Sequence, residues 1–167
     1  MADFKSSFEK GIAAHAAGEQ AKAEIWSVLD DVSHQIREAT SDRITVTREV
    51  LTRRADNSAI LGPFQPLVNY SALVARLADK QKSSETKEEL CEFQISPYGY
   101  PVTLIYGSQE IKCYDRQGLE IGLMRLLEHP DTGGQLRRLL NLQVPSTSSD
   151  TKALPPTNDS DVGVPSE

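Results

Sequence analysis

Ile25, Leu29, Val32 and Ile36 recur at i, i+4, i+7 and i+11 within "AEIWSVLDDVSHQIREA", which places one apolar stripe along a helix. Phe4, Phe8 and Ile12 make a second, earlier stripe. Between them "AAHAAGEQAKA" is alanine-rich but carries Gly18, and glycine in a helix interior costs about 1 kcal/mol against alanine. The pattern predicts a long helix over 1–40, with its first turns set apart or frayed near Gly18. Thr40-Ser41-Asp42 supplies the turn chemistry that ends it.

The period then changes from 3.6 to 2. In "RITVTREVLTRR", Ile44, Val46 and Val50 alternate with Thr45, Thr47 and Glu49, which predicts a strand. "NSAILGPF" is a second, short strand candidate broken by Gly62-Pro63. "NYSALVARLADK" fits both periods; strands on either side favour a strand, because sequential strands tend to pair. "QKSSETKEE" reads as a polar loop. "LCEFQIS", "PVTLIY" and "QEIKCY" complete a sheet of about five to six mostly antiparallel strands over 43–114, with "PYGY" as a turn. Gly107-Ser108 fits a two-residue type II′ hairpin that pairs Tyr106 with Gln109 and Val102 with Cys113.

Asp115 is placed to cap a helix carrying Leu119, Leu123, Leu126 and Leu127. His129-Pro130 stops it. Asp131-Thr132 can cap a last helix with Leu136, Leu139 and Leu140, and Gly133-Gly134 reads as a bend. From about residue 144 Ser, Thr, Pro and Asp dominate, too few large apolar side chains to offset the ordering entropy. The expectation is a single α+β domain over 1–143, with helices over 115–142 and a disordered tail over 144–167.

Composition narrows the function classes. The formal charge is -6 over 167 residues. Asp150, Asp159, Asp161 and Glu167 against Lys152 put half of it in the tail. A balance this mild gives no broad positive field for nucleic acid, so a nucleic-acid partner is disfavoured. No signal peptide or bilayer-spanning run is present, so the chain reads as a soluble cytoplasmic protein with no membrane partner. Cys91 and Cys113 fall on the apolar sides of strands and read as core residues.

The candidate chemistry is sparse. Glu110-Ile111-Lys112 is an E-x-K pair of the kind metal-dependent nucleases use, with Glu92 as a supporting carboxylate. The hairpin register puts Glu110 and Lys112 on the wetter face, and no aspartate lies between Asp79 and Asp115, so a solvated strand face is the plainer reading. His34 follows Asp30 and Asp31 by about one turn, which suits a surface ion pair better than a metal. Arg43, Arg48, Arg53 and Arg54 cluster on the first strand and could touch phosphate, but no aromatic is interleaved among them. Tyr98 and Tyr100 flank Gly99 in a turn, a placement suited to anchoring a protein partner.

No cofactor loop and no catalytic or metal-ligating cluster stands out. The pattern therefore favours a non-catalytic protein-binding module of accessory, inhibitor or immunity-like kind. It would bind another protein through an exposed sheet face or hairpin turn, or pair with its own copy through the N-terminal helix. A nuclease using Glu110, Lys112 and Glu92, and nucleic-acid binding through the basic strand, are the alternatives.

Overall fold

The structure, a computed structural model, describes residues 3–54, 66–78 and 86–142. It opens with one unbroken helix, α1 (Phe4–Ala39), capped by the Asp3 carboxylate, which accepts from the Ser6 amide. Gly18 does not break or fray it. A Cβ at Gly18 would stand 3.5 Å from the Tyr98 backbone, so this glycine marks where the helix touches the sheet. The helix ends at Thr40, and Ser41 and Asp42 turn the chain with φ of 53° and 59°.

Five strands follow as a meander: β1 (Ile44–Arg54), β2 (Leu67–Leu77), β3 (Lys87–Ser96), β4 (Gly99–Tyr106) and β5 (Gln109–Cys113). Their order is β1-β2-β3-β4-β5 and every neighbouring pair is antiparallel. The ambiguous stretch around Leu73 is strand. The candidate strand over 57–64 and the tail from 143 lie outside the described residues. β3 begins at Lys87 rather than after Glu89, because its first charges find partners: Lys87 reaches Glu49 on β1, and Glu88 receives Arg138.

Two helices close the fold, α2 (Arg116–Glu128) and α3 (Pro130–Asn141). Asp115 caps α2, accepting from the Gly118 amide at 2.7 Å. The α3 cap is His129, not Asp131-Thr132. Pro130 then occupies the first helical position, where a missing N–H costs nothing. Gly133-Gly134 therefore lies inside α3 rather than in a bend.

All three helices lie on one face of the sheet. Ile44, Val46, Leu73, Ala75, Leu77, Cys91, Phe93, Val102, Leu104 and Cys113 point inward and pack with Ile25, Val28, Leu119, Leu123, Leu126 and Leu139. β3 carries one extra residue: Leu73 pairs with Cys91 and Val74 with Glu89, leaving Leu90 as a bulge.

Burial pushes the Cys91 thiol up to about 12, with the Glu89 and Glu92 carboxylates adding and a backbone hydrogen bond at Leu73 opposing. The folded state thus holds this proton more tightly than the unfolded chain. The thiol's contribution to stability is full below the unfolded value of about 8.5 and is lost as pH rises from there toward about 12. Burial raises Cys113 in the same direction. Both cysteines are therefore expected to resist a disulfide reagent in the mildly alkaline folded protein and to react fully once it is denatured. Titration with a chromogenic disulfide checks this; labelling of the folded protein at the unfolded rate would contradict it.

Candidate functional site

The β4–β5 hairpin has the register that alternation predicts: Ile105 opposes Glu110 and Thr103 opposes Lys112. Gly107 has φ of 55° while Ser108 is not left-handed, as a type II′ turn requires. Glu110 and Lys112 stand on the outer face, half-exposed, and pair with each other at 3.3 Å. Glu92 lies in the same row, opposite Ile105. Two strand spacings, roughly 9.6 Å, separate its backbone from that of Glu110, and both Glu92 oxygens are turned to Arg53 and Gln94 rather than toward Glu110. The structure thus does not gather Glu92 with Glu110 and Lys112, and no three metal-ligating side chains converge among the described residues.

Glu92 belongs instead to a polar layer across β1, β2 and β3. It is buried and accepts from Arg53 at 2.6 Å and from Gln94 at 2.8 Å. The Arg53 guanidinium lies 4.6 Å from the centre of the Tyr70 ring, whose hydroxyl donates to Glu89. Glu49 pairs with Arg76 and with Lys87. The hydrogen bond from Arg76 holds the Glu49 carboxyl below the usual carboxylate range, against the opposing effect of burial. Tyr70 and Arg76 bracket Ala72 and Val74 on this face, and both of those are buried. The outer face is therefore largely covered at β1–β3 by long charged side chains, although Val68 on β2 stays exposed, and Glu110 and Lys112 on β5 are open to solvent.

A polar cleft of about 340 Å³ adjoins this layer where α3 begins, with Arg53, Glu89, Glu92, His129, Asp131 and Gln135 at its walls. Gln135 donates to the Glu89 carbonyl, and His129 meets the Tyr106 ring edge-on. Cys91, also at the wall, keeps its thiol protonated. His34 pairs with Glu38 on the surface of α1.

The four arginines do not form one patch. Period two sends Arg48 and Arg54 to the inner face and Arg53 to the outer. Arg48 donates to the Ser71 hydroxyl and stacks 5.2 Å from the centre of the Trp26 ring. Arg43, before the strand, donates to the Thr40 carbonyl.

Exposed apolar side chains occur at Val50 and Leu67 on β1 and β2 and at Tyr114, and as a stripe on α1. Among the described residues of α1, none before Gly18 is buried, so the first turns project roughly 21 Å beyond the sheet at 1.5 Å per residue. Along them Phe4 is 80% exposed, Phe8 68% and Ile12 56%. The stripe cannot reach the core because that part of α1 runs past the sheet; Ser7 and Ala14, in phase with Ile25, are exposed there too. Phe8 and Ile25 are seventeen positions apart, which leaves them about 100° out of register on a helix. That offset is legible in the sequence; the overhang, which leaves no side of these turns buried, is not.

Tyr98 stands at the point where the projecting turns leave the sheet, 73% exposed. Its neighbour Tyr100 turns inward and is half-buried. The Tyr100 hydroxyl is buried with no hydrogen-bond partner among the described residues, and burial raises its pKa, with Glu24 adding and Arg116 opposing. Of the two, only Tyr98 presents its side chain to solvent.

Comparison with protein-family models, curated proteins and solved structures finds no match to this chain. No helix among the described residues is long and apolar enough to cross a membrane.

Proposed function

We propose that this chain is a non-catalytic protein-binding module, of the accessory, inhibitor or immunity-like kind. Its contact surface is the end of the molecule where α1 overhangs the sheet. The observation that carries this reading is the stripe of Phe4, Phe8 and Ile12, held on a formed helix with nothing of the described chain covering it. Two phenylalanines of about 200 Å² each, exposed to these degrees, present roughly 300 Å² before Ile12 and Tyr98 are added. Apolar patches of that order commonly mark interaction sites. The sheet's outer face supports the reading less, because ion pairs already occupy much of it.

Phe8→Glu with Tyr98→Ala is expected to abolish capture of a stoichiometric partner while leaving the melting temperature unchanged, since both side chains are exposed. Tagged protein recovered from its native host, wild type against variant, with mass spectrometry of what accompanies each, makes the test. A partner retained in full by the double variant would refute this surface.

A further inference from the structure

α1 and α2 do not close completely on each other. Between them runs a groove of about 480 Å³, floored by Val28, Val32, Ile36, Leu123, Met124 and Leu127, with Asp31 and Glu120 on its rim. Arg116 bridges those two carboxylates, so the rim keeps one net negative charge. Met124 is more than half exposed. An apolar groove between helices is the complement of a helix that presents side chains one turn apart. Phe4, Phe8 and Ile12 are such side chains, on a free helix end, with Lys5 bordering the stripe.

We infer that the projecting end of α1 in one copy of this chain seats in the α1–α2 groove of another. This rests on the protein-binding reading above and names the partner as a second copy. The stripe cannot reach its own groove. Phe8 and Val32 lie on one continuous helix, twenty-four positions and roughly 36 Å apart. Nor can two α1 helices satisfy both surfaces by lying side by side. Twenty-four positions leave the stripe about 120° round the helix from the groove, so a straight partner helix that met the stripe would miss the groove. The contact is therefore head-to-tail, between two different surfaces, and it can repeat from copy to copy.

Its area sets its strength. The three stripe side chains offer well under the roughly 800 Å² per partner of a stable interface, so association depends on concentration rather than being permanent. Lys5 facing Asp31 and Glu120 adds orientation more than affinity.

Sedimentation velocity of the full chain from micromolar to millimolar concentration provides the test. The wild type is expected to grow in mass past the dimer. Phe8→Glu, lacking the stripe, and Met124→Glu, lacking the groove, are each expected to weaken self-association by roughly ten-fold or more. Circular dichroism confirms that both remain folded. Mixed together, they retain one intact stripe and one intact groove, and are expected to form a dimer that grows no further. Glu120→Lys weakens the same contact from the rim.

A wild type that stays monomeric throughout overturns the second-copy inference. The wider protein-binding reading then stands or falls separately, on capture through Phe8. Association that Met124→Glu leaves intact also overturns the inference, in favour of stripe-on-stripe pairing.

Discussion

Replacing Gly99 by valine is expected to lower the melting temperature by about 10 °C. Two effects combine. Gly99 has φ of 95°, a conformation that residues with a Cβ adopt only under strain, at a cost of about 1–3 kcal/mol. A Cβ built there would also lie 2.6 Å from the Ala21 Cβ, with the backbone of Ala21 and Lys22 at 3.4 Å. Alanine has no flexible end to move, so α1 itself must shift, and overpacking of this kind costs about 1–3 kcal/mol more. Together they reach about 4 kcal/mol, near 10 °C for a chain of this size.

Gly18→Ala is the internal control. Its Cβ would make ordinary contact with Tyr98, and helix propensity then favours the variant by about 1 kcal/mol. Calorimetry of both reads the difference. A Gly99→Val protein as stable as wild type would show that α1 does not rest on this turn.

Phe93→Ala is expected to cost about 4 kcal/mol. Phe93 is wholly buried on the central strand, opposite Leu104, in the layer where the helices meet the sheet. Truncation removes the transfer free energy of the ring and leaves a cavity that strands held on both sides cannot close. In a denaturant titration the midpoint should fall while the slope stays constant, since the same surface is exposed on unfolding. A loss below about 1 kcal/mol would mean the core had collapsed into the space.

Much of the fold was legible because period and turn chemistry agreed. Gly107-Ser108 fixed a register that the β4–β5 pairing repeats residue for residue, and that register alone put Glu110 and Lys112 on the wetter face. Asp115 as a cap and Leu119, Leu123 and Leu126 as a core stripe were likewise local facts.

What was missed depended on contacts far along the chain. Gly18 read as a weak point because propensity registers only the helix, whereas its role is set by Tyr98 on a hairpin eighty residues away. Lys87 and Glu88 read as loop because their charges look solvated until Glu49 and Arg138 are placed beside them. His129 does not stand out as a cap in the sequence because the stop signal His129-Pro130 and the start signal are the same two residues. Among the candidate sites, alternation alone could separate Arg48 from Arg53. It could not show that Glu92, aligned with Glu110, would be taken up by Arg53 instead.

The projecting end of α1 also has a consequence for how it forms. An isolated peptide of that length, with Gly11 near its middle, would be marginal as a helix in water, because the first turn fixes several dihedrals for one hydrogen bond. Here the packed turns from Gly18 onward already supply that first turn, so the free end grows from an existing template and needs only propagation, residue by residue, toward Asp3. A partner arriving at Phe4 and Phe8 meets a ligand that is largely prefolded, with little ordering entropy left to lose at the moment of contact.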